Sequence, residues 1–247
     1  MDRVVLIIQA RMGSARLPGK SMMDLAGAPL LSRVIERLKR TQKVDEIVLA
    51  TTELPSDDVL ADLAKESGIS AFRGSENNLL DRFYQAANEY RADVVVRFPG
   101  DNATPEPSEI DRIIDYHFRG GSDFSTNIVP AFENGYPMGI GAEVLSKATL
   151  EETWRQTSAP EKLEHLALIF FDYFKQAEVQ PGKYKVGTIQ CPSAFSRPDL
   201  VLHVDSQEDY DYMHSLYDYL YPRNKDFHIT DIIDWHDNVY ERTAGES

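Results

Sequence analysis

The sequence has little cysteine and no long apolar run. Its single cysteine, Cys191, excludes a disulfide within the chain and a cage of cysteines around a metal ion. The first apolar run, residues 4–8, is too short for a signal-peptide core or a membrane span, and Gln9 and Arg11 interrupt it at once. We therefore expect a cytoplasmic protein without a membrane partner.

Positive charge is scarce as well. The 26 Lys and Arg residues stand against 40 Asp and Glu residues, which gives a formal net charge of −14. A surface that binds the phosphates of a nucleic acid needs clustered Lys and Arg. The composition therefore argues against a nucleic-acid partner and fits a single nucleotide better.

The chain also lacks internal repeats, low-complexity tracts and a linker that would divide it. Its 247 residues, 42% of them hydrophobic, are enough to bury one full core. We predict a single domain over residues 1–247.

Two familiar phosphate-binding motifs are missing where the first strand ends. Five residues, instead of the four of a Walker A loop, separate Gly13 from Gly19, and no Gly-x-Gly-x-x-Gly follows the strand. The segment still carries Arg11, Arg16 and Lys20 among its glycines. Backbone N–H groups and cations in such a loop bind a polyphosphate. We call residues 9–20 the phosphate loop and predict that it binds a nucleotide.

Strands and helices alternate through the first half. Apolar patterns predict strands at 46–51, 70–72 and 93–98 and helices at 29–38, 56–68 and 78–90. This alternation predicts an α/β fold with a mixed, mostly parallel sheet and helices on both faces. Ligands of such sheets bind beyond the carboxyl ends of the strands. At that edge lie the phosphate loop, Thr51, Thr52, Pro99, Gly100 and Asp101.

The second half is less regular. Its patterns predict helices at 147–155 and 162–174, strands at 184–189 and 200–204, and a helix that follows Asp205 and Ser206. The apolar side chains of 147–174 exceed what a small lobe can bury, which predicts a homodimer through this region. The residues concerned are Trp154, Leu166, Ile169, Phe170 and Phe171.

Two aspartates, Asp101 and Asp205, are candidate Mg²⁺ ligands because each follows a predicted strand. Mg²⁺ prefers carboxylate and phosphate oxygens. Asp101 is alternatively a turn residue, and Asp205 alternatively belongs to a helix start, where Ser206 and Asp209 have the spacing of a capping box. If the two acids are neighbours they repel each other, so we expect Asn at either position to leave thermal stability unchanged or higher.

The phosphate loop resembles, residue for residue, the signature of the cytidylyltransferases that activate acidic sugars, and most closely their spore-coat-polysaccharide F-type branch. Other family segments are matched by Phe72-Arg73-Gly74-Ser75, Leu80-Asp81-Arg82-Phe83, Gly100-Asp101, Pro137-Met138-Gly139, Glu143-Val144, Glu164-His165 and the Val-Asp-x-x-Glu-Asp segment from Val204. The resemblance implies a Rossmann-like, nucleotide-diphospho-sugar-transferase-like domain. Its nucleotide-binding portion would be residues 1–120, and its acceptor-binding and dimerisation portion residues 121–247.

The resemblance and the strand ends together imply roles for individual residues. Those predicted to bind CTP are Gln9, Ala10, Arg11, Met12, Gly13, Arg16, Lys20, Thr51, Thr52, Gly74, Ser75, Arg82, Pro99, Gly100 and Asp101. Asp101 and Asp205 would hold Mg²⁺. Those predicted to bind the acceptor are Asn102, Gly139, Glu143 and His165. Where the family has Cys-Pro-Leu this chain has Asn102-Ala103-Thr104, so the identity of the acceptor stays open.

The expected reaction is transfer of CMP from CTP to an acidic acceptor, with release of pyrophosphate. Arg11, Arg16, Lys20 and Mg²⁺ would act by positioning and charge neutralisation. The acceptor would be a sugar acid, such as a nonulosonic or deoxy-octulosonic acid, or a phosphate or phosphonate compound. A glycosyltransferase of similar fold and a catalytically silent CTP-binding regulator are the alternatives.

Three of the predicted site residues have an ordinary structural alternative. Glu143 either binds acceptor hydroxyls or is a solvated acid at a strand end. His165, on the predicted helix 162–174, either contacts the acceptor or acts as a base, or it is a structural histidine. Arg82 either reaches the nucleotide or is an exposed helix arginine.

Overall fold

The computed structural model describes residues 2–128, 131–173 and 175–241. Its strands are β1 (Val4–Gln9), β2 (Asp24–Leu25), β3 (Ala28–Pro29), β4 (Glu46–Thr52), β5 (Ser70–Gly74), β6 (Val94–Pro99), β7 (Phe124–Thr126), β8 (Glu143–Ser146), β9 (Phe171–Asp172), β10 (Ala177–Glu178) and β11 (Val186–Gly187). Its α-helices are α1 (Leu30–Leu38), α2 (Asp58–Glu66), α3 (Leu79–Glu89), α4 (Pro107–Gly120), α5 (Lys147–Gln156), α6 (Pro160–Glu164), α7 (Gln207–Leu220) and α8 (Ile229–Trp235).

Seven strands form one sheet in the order β11-β7-β8-β6-β1-β4-β5. β1 pairs in parallel with β4 and β6, and β4 pairs in parallel with β5. β8 runs antiparallel to both β6 and β7, and it extends the sheet on one side. The prediction of a mixed, mostly parallel sheet is confirmed.

Both faces of the sheet are covered. Along β1, Leu6 and Ile8 pack into one apolar cluster with residues of α1, α4 and α7. Val5 and Ile7 pack into a second cluster with residues of α3 and α5. A strand buried on both faces is apolar at every position, which explains the uninterrupted run at residues 4–8. The predicted helices on both faces are therefore confirmed.

The predicted helix at 162–174 is wrong. α6 ends at Glu164, His165 has non-helical backbone angles (φ −127°, ψ 81°), and a 3₁₀ turn and β9 follow. Leu166, Ile169 and Phe171 are all buried, so this is a continuous apolar run whose period does not distinguish a helix from other buried structure. Phe174, the last residue of the prediction, lies outside the described residues.

Two predicted strands are shorter than expected. Only Val186–Gly187 of the segment 184–189 joins the sheet. In the segment 200–204 the alternation is real, because Leu202 is buried and Val201 is exposed. Its backbone, however, makes isolated hydrogen bonds and not a strand ladder. The Leu202 N–H donates to the Met138 carbonyl, and the Val204 N–H donates to the Asp101 carbonyl.

The apolar side chains of residues 147–174, on which the prediction of a homodimer depended, are covered within this chain. Leu166, Ile169, Phe170 and Phe171 are buried within this chain. Trp154 is half-buried and stacks on Tyr84 of α3. The apolar excess is therefore covered internally, and the dimer stays a prediction. Across the residues that the structure describes, no helix is long and apolar enough to cross a membrane.

Candidate functional site

The phosphate loop follows β1 at the carboxyl edge of the sheet and is held there by Asp57. The Met12 N–H donates to Asp57 Oδ1 at 2.9 Å, and the hydroxyls of Thr51 and Thr52 donate to Asp57 Oδ2. Burial raises the pKa of Asp57, but the hydrogen bonds from Thr52, Met12 and Thr51 outweigh it and hold the pKa below its ordinary value. An ionised Asp57 therefore holds the backbone of the phosphate loop at Met12.

Thr51 and Thr52 were predicted to contact the nucleotide, but the structure buries both of them completely. Their hydroxyls are used by Asp57. They reach the loop only through that carboxylate. Sequence reasoning missed Asp57 because an acid at the end of a short 3₁₀ turn, here Pro55–Asp57, gives no sign that it is buried.

A cavity of about 310 Å³ opens above the loop, and we call it the nucleotide cavity. It is lined by Gln9, Ala10, Arg11, Ser14, Ala15, Arg16, Lys20, Ser21, Glu76, Leu79, Arg82, Gly100, Asp101, Glu164, His165 and Asp205. The structure thus brings together the three predicted cations of the loop, Arg82 and both aspartates. Clustered guanidinium and ammonium groups in a concave site bind phosphate oxygens through charge-assisted hydrogen bonds.

Arg82 is buried in the wall of this cavity, so the exposed alternative is wrong. Only 4% of the residue is exposed, one Nη donates to the Ser75 carbonyl at 2.8 Å, and Nε has no protein partner. Burial and then the charge of Arg11 lower the pKa of the guanidinium to about 10. A buried cation with an unused donor beside a second cation is suited to an anionic ligand.

Four other predicted nucleotide ligands, Met12, Gly13, Gly74 and Ser75, are not part of the cavity lining. The Met12 N–H is taken by Asp57, and the side chain of Met12 packs on the core. Gly13 is absent from the lining, as are Gly74 and Ser75. Gly74 makes room first for the ring of Phe72 and then for Arg82, since a Cβ there would lie 2.8 Å from the Phe72 Cε1 and 3.3 Å from the Arg82 Cγ. These residues shape the site without facing the cavity.

Gly100 lets the end of β6 approach the phosphate loop. Its N–H donates to the Gln9 carbonyl at 2.8 Å, and a Cβ at this position would lie 2.8 Å from the same oxygen. Any side chain here would push β6 away from β1. The glycine therefore keeps Asp101 beside the loop, as the sequence predicted.

Asp101, Asp205 and Lys20 form one cluster. The Lys20 Nζ lies 2.6 Å from Asp101 Oδ2, 3.0 Å from Asp205 Oδ1 and 2.6 Å from the Val204 carbonyl. Arg16 contacts the other oxygen of Asp205 at 2.8 Å. The two acids are neighbours, as predicted, but a cation separates them.

The helix-start alternative for Asp205 is resolved by its neighbours. Ser206 is the N-cap of α7 and accepts from the Asp209 N–H, while the Asp209 carboxylate accepts from the Ser206 N–H. This is a complete capping box. The side chain of Asp205 takes no part in it and faces Lys20 and Arg16.

A second cavity of about 320 Å³ adjoins the first, and we call it the acceptor cavity. It is lined by Arg97, Pro99, Asn102, Ile128, Met138, Gly139, Glu143, His165, Ala167, Leu168, Tyr173 and His203. All four residues predicted to bind the acceptor line it, and Pro99, predicted on the nucleotide side, lies here instead. Gly139 has φ +102°, and a Cβ there would lie 2.8 Å from the Leu202 carbonyl, so this wall requires glycine.

Glu143 is not a solvated strand-end acid. It is 1% exposed, its Oε2 lies 2.6 Å from an Nη of Arg97, and the Tyr173 hydroxyl donates to Oε1 at 3.2 Å. Burial, and then the charge of Glu143, raise the pKa of Tyr173 well above its usual value. Arg97 also donates to the Gln9 side chain at 2.9 Å, so one guanidinium contacts residues of both cavities.

Sequence reasoning missed Arg97, Tyr173 and His203. Arg97 gave a usable signal, because an arginine inside the apolar run of β6 must find a buried partner. Tyr173 and His203 gave none, since each reaches the cavity through tertiary structure. His165 lines both cavities and lies where a nucleotide and an acceptor would meet.

The sequence is similar to those of known cytidylyltransferases. The model of the cytidylyltransferase family matches residues 5–241. The spore coat polysaccharide biosynthesis protein SpsF of Bacillus subtilis is 34% identical over 222 residues, which cover 88% of this chain and 87% of that protein. A 3-deoxy-manno-octulosonate cytidylyltransferase of Anaeromyxobacter sp. is 35% identical over 156 residues, which cover 62% of this chain and 57% of that protein.

A solved structure is similar over nearly the whole chain. It is a cytidylyltransferase from Leptospira borgpetersenii, with a TM-score of 0.85 and 29% sequence identity. The superposition covers 96% of this chain and 95% of that one. The predicted fold class is confirmed.

Proposed function

The chain belongs to the cytidylyltransferase family, and we propose that it transfers CMP from CTP to an acidic small-molecule acceptor with release of pyrophosphate. The observation that carries this proposal is the junction at His165, where a cavity lined by four cationic side chains and four carboxylates meets a second cavity of similar volume. A transferase needs two substrates in contact at one point. These cavities supply that arrangement.

The proposed reaction needs little covalent chemistry from the protein. An acceptor oxygen attacks the α-phosphorus in line, a new P–O bond forms, and the bond to the bridging oxygen of the β-phosphate breaks. A hydroxyl acceptor passes its proton to water, whereas a phosphate or phosphonate acceptor attacks as an oxyanion, and pyrophosphate leaves with the electron pair of the broken bond. Charge neutralisation and positioning account for most of such catalysis. Arg11, Arg16, Lys20 and Arg82, which line one cavity, would neutralise the triphosphate, and His165, which lines both cavities, would lie near the attacking oxygen.

The residues present fit a Mg²⁺ ion. Two carboxylates and the Val204 carbonyl already converge on one cation, the Lys20 ammonium, at 2.6–3.0 Å. An all-oxygen set is what Mg²⁺ prefers, and the ion takes one or two carboxylates together with phosphate oxygens. Asp101 and Asp205 would hold it, and it would neutralise charge on the triphosphate.

The acceptor cavity supports a polyhydroxylated acceptor. Glu143, Tyr173 and Asn102 contribute polar groups to its lining, and Ile128, Met138 and Leu168 contribute apolar surface. A sugar acid of the nonulosonic or deoxy-octulosonic type presents hydroxyls and carbon surface in this way. The Anaeromyxobacter relative is a cytidylyltransferase of 3-deoxy-manno-octulosonate, which is a sugar acid of this type. A phosphate or phosphonate compound is the other class to be screened.

The test is a pyrophosphate-release assay with each of the four ribonucleoside triphosphates, Mg²⁺ and a panel of sugar acids, phosphates and phosphonates. We expect release with CTP and one acceptor class. Binding of CTP with no turnover on any acceptor would indicate a regulator. Turnover of a nucleotide sugar without pyrophosphate would indicate a glycosyltransferase and contradict the proposal.

A further inference from the structure

Lys20 holds an unusual position for a residue expected to bind phosphate. An ammonium group has three N–H donors. Asp101 Oδ2, Asp205 Oδ1 and the Val204 carbonyl lie within 3.0 Å of the nitrogen and use all three. The residue is 7% exposed. In this state Lys20 has no donor left for a nucleotide.

The same oxygens are the proposed ligands of Mg²⁺. A carboxylate oxygen that accepts from an ammonium at 2.6 Å cannot also bind a divalent ion at about 2.1 Å without bringing two cations together. Such a contact is repulsive at this partly buried site. The ammonium and the metal ion therefore exclude each other.

The surroundings show what releases Lys20. Arg11 and Arg16 line the nucleotide cavity, and Arg82 is buried there with its Nε unpartnered. These groups make a site for an anion beside the acid cluster. A triphosphate in this site offers new acceptors to the ammonium. Arg16 contacts Asp205 from an exposed position, so this pair is weak and exchanges easily.

We propose that Lys20 is the resting cation of the metal site and that the divalent ion replaces it only together with the nucleotide, whose phosphates take over the ammonium. The inference rests on the proposed function. Its consequence is an order of events: free metal does not bind the nucleotide-free protein, and Lys20 passes from the two aspartates to the phosphates as the metal enters. One residue thus has two successive partners in the same cavity.

The experiment uses Mn²⁺ as the probe and the nucleotide-free protein, with free Mn²⁺ followed by electron paramagnetic resonance. The wild type should bind Mn²⁺ only weakly. Lys20→Met should bind one Mn²⁺ at least about tenfold more tightly, because Asp101 and Asp205 no longer pair with the Lys20 ammonium and only the exposed Arg16 still contacts Asp205 among the loop cations. Lys20→Arg keeps the cation and should bind as weakly as the wild type.

The matched control is Lys43→Met. Lys43 pairs with Asp115 at 3.0 Å, near Asp111, on another part of the surface. Its replacement removes the same charge and also takes one of two cations, Lys43 but not Arg119, away from the Asp115 carboxylate. We expect wild-type Mn²⁺ affinity. An equal gain in Lys43→Met and Lys20→Met would reduce the effect to net charge and overturn the inference.

Two further results bear on it independently of folding in the Met variant. Tight binding of Mn²⁺ by the nucleotide-free wild type would overturn the inference by itself. If circular dichroism shows that Lys20→Met does not fold, the Mn²⁺ titration is repeated with Lys20→Gln, which keeps a hydrogen-bond donor without the charge. Failure of the wild type to bind CTP in the presence of Mg²⁺ contradicts the proposed function, and calorimetry with CTP shows this separately from the Mn²⁺ titrations.

Discussion

The backbone N–H of Val204 donates to the carbonyl of Asp101 at 2.9 Å. This one bond joins the end of β6 to the residue just before Asp205, although about a hundred residues of chain separate them. It brings the two carboxylates to the same ammonium. A backbone hydrogen bond therefore holds Asp101 and Asp205 close together, in addition to the contacts of their side chains with Lys20.

Asp101→Asn and Asp205→Asn should each abolish pyrophosphate release, because each removes a proposed metal ligand. The sequence suggested that these changes would leave stability unchanged or higher, but the Lys20 ammonium lies between the acids. Each change removes a charge-assisted partner of a buried cation, and we expect a loss of about 1 to 3 kcal/mol in the free energy of unfolding. Urea unfolding and the release assay measure the two effects.

Ser206→Ala is the control for these two variants. It removes the cap of α7 and should lower the free energy of unfolding by about 1 kcal/mol. Turnover should persist, since Ser206 is not part of either cavity lining. Near-normal turnover in Asp205→Asn would show that Asp205 is not a metal ligand.

Arg82→Met should weaken CTP binding by about 1.5 to 3 kcal/mol, or roughly ten- to a hundredfold, through loss of one charge-assisted contact. Stability should change little, because the change also removes a buried donor without a partner and a cation beside Arg11. Calorimetric titration with CTP measures the affinity. Arg73→Met, which replaces an arginine paired with Asp58 outside the cavity, should bind CTP normally.

Glu143→Ala should destabilise the protein by about 3 to 5 kcal/mol, because it leaves the buried Arg97 charge without its partner. The double variant Arg97→Met with Glu143→Leu should recover much of that loss in urea unfolding. Neither variant should turn over acceptor normally, because both lose polar groups of the acceptor cavity. Equal stability of the single and double variants would contradict a buried pair.

Asp57→Asn should lower stability at neutral pH and make it less dependent on pH. The pKa of Asp57 is below its ordinary value, so its stabilising effect is fully present above the unfolded-state pKa of about 3.9 and is lost as pH falls from there through the lower folded-state pKa. Urea unfolding between pH 7 and pH 3 should show the difference from the wild type shrinking in acid. Thr52→Val removes one of the hydrogen bonds that lower the pKa and should give an intermediate curve. A difference that stays constant with pH would be evidence against an ionised Asp57.

The sequence predicted what depends on local pattern. β1, β4 and β6 are apolar runs buried on both faces, and the phosphate loop has a distinctive composition, so both could be placed. Residues 166–171 could not be assigned, because a continuous apolar run has no period that separates helix from strand.

Pairings between distant residues were beyond the sequence for another reason. Arg97 and Glu143 are 46 residues apart, and Lys20 and Asp205 are 185 apart. Each residue on its own suggests an exposed charge. Only the register of β6 against β8, which places Arg97 opposite Glu143, makes the first of these a buried pair. The prediction that the two acids repel each other was wrong for the same reason.

The attachment of Met12 to Asp57 orders the backbone of the phosphate loop before any nucleotide arrives. Ordering a flexible loop on binding reduces affinity through lost conformational entropy. Here that conformational entropy is already lost when the protein folds, so its cost is part of the free energy of folding. The free energy of association therefore does not include this cost, which raises the affinity. The phosphate loop, whose surface is open and carries cations, binds its ligand without further ordering of its backbone.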